Sequence, residues 1–236
     1  MKIPVIEGVI DRRILINFTV DPSAVQKILP APFRPKLYKG RAIAGICLIR
    51  LKNIRPKGLP QFTGISSENG AHRIAVTWEE NGVEREGVYI PRRDTSSRLN
   101  AFAGGRFFPG RHYLAKFDVR ENGDHYHVSF RSEDETFISV DGKRTDQLNT
   151  DSIFDDLAGV SRFFERGSTG FSPDGQKLDG LRLQTREWKV EPLAITNVQS
   201  SFFEDTEIFP GGTVQFDNAL LMRNIAHEWH SVQAPC

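Results

Sequence analysis

Two tight-turn signals in the middle of the chain constrain its fold more than any other feature. Asn-Gly between two β-prone segments is the strongest short-range signal for a β-hairpin. It occurs at Asn81-Gly82 and again at Asn122-Gly123. The flanking segments, rich in β-branched and aromatic residues, predict four strands, over residues 72–79, 83–90, 112–120 and 125–131. The central part of the chain is therefore expected to be antiparallel β-sheet.

The rest of the chain extends this pattern. Further strands are predicted over 13–20, 41–54 and 136–140, with strand or mixed character over 181–198 and 213–229. Ala42, Ala44 and Gly45 in the second of these indicate close approach of another backbone. Short helices are predicted after the N-cap Asp21, over 96–103 and over 153–164. About ten strands in one domain, 1–236, favour a closed or nearly closed barrel, because closure removes sheet edges and leaves room for one small ligand.

Composition excludes several functional classes. Thirty-one Lys and Arg against 30 Asp and Glu give a net charge of +1, so no general attraction to nucleic acid is expected. No apolar run approaches the ~18 residues that span a bilayer, and Pro4 and Glu7 interrupt the N-terminal apolar run, unlike a secretory signal. The two cysteines, Cys47 and Cys236, do not make a disulfide scaffold. We therefore expect a soluble, cytoplasmic protein without a membrane partner.

Histidine pairs provide one alternative. His125 and His127 are two residues apart, so they share one face of a predicted strand and could hold a metal. The remaining ligands of a cupin-like site do not follow them, which favours a structural or surface role, and His227 and His230 are weaker candidates still. The sequence also lacks a nucleophile elbow, a dinucleotide fingerprint and a phosphate-binding loop. Neither a metal nor another cofactor is predicted.

An arginine-rich segment between residues 92 and 111 is the strongest candidate for ligand binding. The segment contains one acidic residue, Asp94, and five arginines, which are Arg92, Arg93, Arg98, Arg106 and Arg111. Guanidinium groups match carboxylate and phosphate geometry, and interleaved phenylalanines such as Phe108 could form apolar walls. The alternative is that these arginines face solvent or pair with nearby acids.

The order of short motifs along nearly the whole chain resembles a known family. These motifs are Val20-Asp21-Pro22, Leu29-Pro30, Gly58-Leu59-Pro60, Ser67-Glu68-Asn69, Gly87-Val88-Tyr89, Phe108-Pro109-Gly110-Arg111 and Ala226-His227-Glu228-Trp229. In this order they resemble the acetoacetate decarboxylase-like superfamily, through its DUF2071 (YqjF-like) branch of uncharacterised proteins. The resemblance implies a cone-shaped antiparallel β barrel with short peripheral helices and an internal ligand cavity. Members of this superfamily form oligomers, so the resemblance also implies a homo-oligomer.

The resemblance also suggests site residues. Decarboxylating members carry Phe-Pro followed by two lysines, of which the first forms a Schiff base. Gly110 and Arg111 occupy these positions here, and Lys116 is expected outside the cavity, so decarboxylation through a Schiff base is not expected. Glu68 matches the family's acidic cavity residue, with Arg111 and His112 as its expected partners. The alternative is a buried Glu–Arg pair that only fixes a loop.

These observations lead to a leading hypothesis and two alternatives. The chain is expected to bind a small anionic or carbonyl-containing metabolite, oriented by Arg93, Arg106, Phe108, Arg111 and His112. If it is an enzyme, Glu68 would act as general acid or base in a lyase- or isomerase-like reaction on a small keto or hydroxy acid. The first alternative is a non-enzymatic ligand-binding or protein-interaction barrel. A weaker one is a metal enzyme that uses His125 and His127.

Overall fold

The computed structural model describes residues 4–103, 110–175 and 177–235. In this part of the chain thirteen strands and three α-helices follow one another. They are β1 (Ile6–Val20), α1 (Pro22–Ile28), β2 (Arg34–Pro35), β3 (Leu37–Tyr38), β4 (Arg41–Pro56), β5 (Ile65–Glu80), β6 (Val83–Thr95), α2 (Arg98–Ala103), β7 (His112–Asn122), β8 (His125–Ser132), β9 (Phe137–Arg144), α3 (Leu157–Arg166), β10 (Thr169–Asp174), β11 (Lys177–Thr185), β12 (Glu191–Ser200) and β13 (Val214–Val232). The protein is mainly β with short helices, as predicted.

Both predicted hairpins are confirmed. β5 pairs antiparallel with β6, and at the turn Asn81 and Gly82 take positive φ angles of 53° and 73°. Such angles suit a two-residue turn whose twist matches that of the flanking strands. β7 pairs antiparallel with β8. The short strand β10 was not predicted, and α3 begins later than expected, at Leu157, where the Asp156 side chain accepts a hydrogen bond from the Gly159 amide.

The sheet closes on itself as a ring of nine strands. Their order is β6-β7-β8-β9-β12-β13-β1-β4-β5, and β5 pairs back with β6. The pairs are antiparallel except β6–β7. The hairpin β10–β11 crosses from β6 to β13, pairing with both. It thereby encloses a second, smaller ring that contains β6, β5, β4, β1 and β13.

Strands β1, β4 and β5 are the middle three of the five strands that the two rings share, and they bury side chains on both faces. Because side chains alternate along a strand, Ile14 and Ile16 enter one apolar core while Leu15 enters another. The first core includes buried residues from β8, β9 and β12 and fills the large ring. The second is covered by α3, through Val160 and Phe164. The alternation of side chains along β1, β4 and β5 therefore decides whether a side chain enters the large ring or the smaller ring.

The predicted close approach at Gly45 is confirmed. A Cβ atom on Gly45 would lie 2.2 Å from the carbonyl oxygen of Ile16 on β1. This strand pairing is fixed along most of β1 and β4, so the neighbour cannot move away. Across the described ranges, no helix is long and apolar enough to cross a membrane.

Candidate functional site

A cavity of about 140 Å³ lies in the smaller ring, against the faces of β1, β4 and β5 that are turned away from the large core. Its far side is formed by β6, β11 and the segment that follows α3. Much of the wall is apolar and consists of Leu15, Ile49, Leu51, Ile54, Ala71, Val88, Ile90, Phe164, Leu181, Leu183, Trp188 and Trp229. An apolar cavity with a few convergent polar groups is the usual form of a small-molecule site.

Three guanidinium groups line this cavity, those of Arg13, Arg73 and Arg93. Within the described ranges, none of them has a carboxylate within 4.0 Å, although 21 ion pairs occur elsewhere in those ranges. Buried cations in proteins are normally paired, because removing a charge from water without a partner is costly. These three arginines therefore give the cavity a strong local preference for an anion.

Arg73 is the most deeply buried of the three. The residue is 4% exposed, its Nη2 donates to Oδ1 of Asn17, and its guanidinium carbon lies 4.5 Å from the ring centroid of Phe164. Its Nε has no hydrogen-bond partner among the described residues. Burial lowers the pKa of Arg73 to about 9, so the guanidinium remains protonated at neutral pH. The protein thus carries a cation here that it neither neutralises nor fully hydrogen-bonds.

The other two guanidinium groups are held by weak or neutral acceptors. Nε of Arg13 donates to Sγ of Cys47 at 3.3 Å, and its Nη1 lies 4.0 Å from Sδ of Met222. Nε of Arg93 donates to Oγ of Ser172 at 2.8 Å. Burial lowers the pKa of Arg93 to about 10. No carboxylate therefore neutralises either guanidinium group in the described residues.

Besides the arginines and Cys47, the cavity is lined by two titratable groups, His112 and Asp94. Burial, helped by the charge of Arg93, lowers the pKa of His112 to about 3, so its imidazole is neutral at physiological pH. The Asp94 carboxylate accepts bonds from the guanidinium of Arg92 and from Oγ of Ser132. Burial nevertheless raises the pKa of Asp94. With Arg92 as its partner, Asp94 does not neutralise the cavity arginines.

A short polar wall faces the arginines. Ser67, Asn69 and Asn100 line the cavity and are linked by hydrogen bonds. Thr95 donates to Oδ1 of Asn69 at 2.8 Å, which fixes the orientation of that amide. Hydroxyl and amide groups can donate to a carbonyl oxygen, and can donate to or accept from a hydroxyl group. The wall could therefore position the uncharged end of a polar ligand.

The structure places Glu68 outside this cavity. Ser67 and Asn69 point into it, so Glu68 lies on the opposite face of β5. The predicted partners, Arg111 and His112, are wrong: the carboxylate instead binds Nη2 of Arg12 at 2.6 Å and Nε of Arg50 at 2.5 Å. The physical reason is strand parity, since Arg12 and Arg50 alternate with the cavity residues of β1 and β4 in the same way.

The other residues considered in the sequence lie in several different places. Arg93 and His112 line the cavity, in register across the parallel pair β6–β7. Arg111 is exposed over the ring of Tyr113 and borders a neighbouring groove of about 180 Å³, which shares Arg93 with the cavity. Arg106 and Phe108 lie outside the described residues. Lys116 is exposed on β7, away from the cavity lining.

The histidine pairs do not form a metal site in the described part of the chain. His127 bonds Asp141 at 2.7 Å through Nδ1, while His125 is exposed at the start of β8. His227 is 3% exposed, whereas His230, three residues on and on the other face of β13, bonds Glu228. No group of three or more His, Cys, Asp or Glu side chains in these ranges has the arrangement of a metal site.

The sequence reasoning missed Arg13, Arg73 and Cys47. A signal for the two arginines was present, because each is a charged residue inside a β-prone run that should be buried. Such a residue marks either an internal ion pair or a functional group. The segment 92–111 is the stronger sequence candidate for ligand binding because its arginines are close together in the chain. Proximity in sequence, however, does not bring side chains to one face of a sheet.

The fold of the described residues is similar to that of acetoacetate decarboxylase-like proteins. The chain superposes on an acetoacetate decarboxylase from Legionella pneumophila subsp. pneumophila str. Philadelphia 1 with a TM-score of 0.65 and 11% identity, covering 98% of this chain and 87% of that one. For an acetoacetate decarboxylase-like enzyme from Sphingomonas wittichii RW1 the values are 0.64 and 10%, covering 100% and 94%. The enduracididine biosynthesis enzyme MppR, complexed with pyruvate, gives 0.59 and 9%, covering 98% and 89%.

The family model DUF2071, uncharacterized conserved protein, matches residues 10–218. The chain therefore belongs to the DUF2071 family and has the acetoacetate decarboxylase-like fold. No match is found among curated proteins. At the identities above, the likeness to the solved structures shows the fold alone. The cytoplasmic location and the homo-oligomer stay predictions.

Proposed function

We propose that this protein binds a small carboxylic acid in the cavity of the smaller ring. The observation that carries the proposal is the group of three guanidinium side chains, Arg13, Arg73 and Arg93, that line one buried cavity with no carboxylate partner among the described residues. A ligand carboxylate would supply the missing negative charge. Hydrogen bonds between guanidinium and carboxylate groups are among the strongest in proteins, and partial burial strengthens them.

The size of the cavity limits the ligand. A cavity of about 150 Å³ in another protein accommodates benzene, which has six non-hydrogen atoms. The 140 Å³ measured here therefore fits an acid of about that size. The carboxylate would lie at the arginines, and a carbonyl or hydroxyl oxygen would face Ser67, Asn69 and Asn100. The complex of the related fold MppR with pyruvate supports this class of ligand.

We further propose that the ligand is not held as a Schiff base. The cavity lining in the described residues contains no lysine, and Lys116 is exposed. The absence of a lysine amine at Gly110 and Arg111, where the family resemblance places it, supports the same conclusion. A neutral His112 beside the arginines would be the acid–base group nearest to a bound acid. Binding without turnover is the alternative, and the ligand screen below applies to both.

The test is a thermal-shift screen with matched pairs of charged and neutral compounds. Pyruvate, lactate and propionate are compared with pyruvamide, lactamide and propionamide. A ligand at 100 times its dissociation constant adds about 2.7 kcal/mol to stability, or about 5 to 10 °C in melting temperature for a chain of this length. We expect at least one acid to stabilise the protein and its amide to have no effect.

Variants locate the site. Arg13→Met and Arg73→Met should reduce the affinity for the acid at least tenfold, whereas Arg182→Met, on the exposed side of β11, should leave it unchanged. Circular dichroism of each unliganded variant shows whether it is folded. Loss of binding in Arg111→Ala with retention in Arg73→Met would move the site to the neighbouring groove and overturn the proposal. An acid and its amide that bind equally would also overturn it.

A further inference from the structure

The cavity contains one side chain with no assigned role, the thiol of Cys47. It lies on β4, in register with Leu15 of β1 and Ala71 of β5, and is 7% exposed. The cysteine is free, and its side chain lines the cavity beside the arginines. A buried cysteine often acts only as a small apolar side chain. The surroundings of Cys47 are unlike those of such a residue.

Cationic side chains share the cavity with the sulfur atom. Nε of Arg13 donates to Sγ at 3.3 Å, and Arg73 and Arg93 line the same cavity. Electropositive surroundings are typical of reactive cysteines, because nearby cations stabilise the thiolate, which is the nucleophile. A purely structural thiol would pack equally well against apolar side chains.

An independent observation indicates that a ligand completes this arrangement. Arg73 is 4% exposed, its Nε has no hydrogen-bond partner among the described residues, and its side chain reaches Asn17 across Gly45, two residues from Cys47 on β4. A buried donor without an acceptor costs free energy that a bound anion would recover. The same anion would lie beside the sulfur atom.

We propose that Cys47 is a nucleophile that adds reversibly to the ketone carbon of a 2-oxo carboxylate bound by Arg13 and Arg73. The inference rests on the proposed function and names the substrate class of that site. In the addition a carbon–sulfur bond forms and the π electrons of the carbonyl move to its oxygen. That oxygen takes up the proton lost by the thiol, so a hemithioketal forms without an oxidant or leaving group. The step would activate the ketone in a cavity that lacks a lysine amine.

The experiment uses pyruvate labelled with ¹³C at C2. With the wild-type protein we expect the bound C2 resonance to move from the carbonyl region to the region of tetrahedral carbon. With Cys47→Ala the resonance should stay in the carbonyl region, and with Cys236→Ala, the matched control, it should move as in the wild type. Borohydride should leave no covalent adduct, because a hemithioketal, unlike a lysine imine, is not trapped by reduction.

Propionate separates failure of this inference from failure of the proposed function. It has the carboxylate and lacks the ketone, so it should bind the wild type and Cys47→Ala equally. If pyruvate and propionate both bind and no tetrahedral C2 signal appears, the nucleophile assignment is wrong while the carboxylate site stands. If neither acid binds, the proposed function itself fails and the inference with it.

Alkylation provides a second measurement that requires no natural ligand. Iodoacetate and iodoacetamide differ in one charge. In both reactions the thiolate sulfur bonds to the CH2 carbon of the reagent and iodide leaves. Peptide mass spectrometry gives the ratio of alkylation of Cys47 by iodoacetate to alkylation by iodoacetamide. We expect this ratio to be at least ten times the ratio for glutathione in the same buffer. Arg13→Met should abolish the preference, and Arg182→Met should retain it. A ratio equal to that of glutathione would overturn the inference.

Discussion

Arg12 and Arg13 are neighbours in the chain, yet their guanidinium groups end in opposite chemical surroundings. That of Arg12 lies between the carboxylates of Glu68 and Glu121, at 2.6 and 2.5 Å. That of Arg13 ends on the sulfur atoms of Cys47 and Met222. β1 thus presents a neutralised cation to one compartment and an available cation to the other. The first serves stability and, in our proposal, the second serves binding.

This contrast gives a paired prediction. Arg12→Met should lower the free energy of unfolding by about 3 kcal/mol, because it removes the buried partner of two carboxylates, and should leave the ligand affinity unchanged. Arg13→Met should have the opposite profile, with a small effect on stability and at least a tenfold loss of affinity. Urea denaturation and calorimetric titration with the best acid measure the two quantities. Equal profiles for the two variants would contradict the assignment of the two faces.

Glu68→Gln tests the acid that the family resemblance singled out. The glutamine cannot neutralise Arg12, which is 2% exposed, so we expect a loss of about 1 to 3 kcal/mol in unfolding free energy. The affinity for a carboxylic acid should stay within about twofold of the wild type. Glu133→Gln, in an exposed turn, is the matched control. A large loss of affinity at unchanged stability would return Glu68 to the binding site.

The buried imidazole of His227 should make stability depend on pH. Burial lowers the pKa of His227 from 6.5 to about 4. Between these pH values the unfolded chain binds the proton and the folded protein does not. Stability is therefore lost as pH falls through this window, at up to about 1.4 kcal/mol per pH unit.

His227→Phe removes this proton and leaves no polar group unpaired. Between pH 8 and pH 5 the variant should lose about 2 kcal/mol less unfolding free energy than the wild type. Urea denaturation at the two pH values makes the comparison, with the exposed His125→Gln as control. Parallel losses in wild type and variant would show that His227 does not hold its low pKa.

Gly45→Ala tests the contact between β1 and β4 behind the cavity. The added Cβ would lie 2.2 Å from the carbonyl oxygen of Ile16, a backbone atom within a continuous ladder. We expect a loss of about 3 kcal/mol in unfolding free energy. Gly211→Ala, whose Cβ would meet no atom within 4 Å, should change stability by less than about 0.5 kcal/mol. A similar effect at both positions would contradict the strand contact.

Local sequence signals are sufficient to predict most elements and the class of fold. Asn81 and Gly82 specify the first hairpin because both take positive φ angles, whereas in the second hairpin Gly123 takes the positive φ angle and Asn122 still pairs with His125. The alternation of β1 and the N-cap Asp21 are equally local signals. The order of weak motifs, read together, identified the family that the match over residues 10–218 confirms. Each of these depends on residues close together in the chain or on their order.

Which residues share the cavity depends on long-range pairing of the strands. Glu68 lies outside the cavity although its neighbour Asn69 lines it, because successive residues of a strand face opposite sides of the sheet. Closure of the sheet brings Arg13, Arg73 and Arg93 together, although they are far apart in the sequence or on different strands. The register of β1, β4 and β5 fixes which parity faces the cavity, and register depends on long-range pairing. The sequence therefore predicts the strands and their turns, and the closed sheet determines the site.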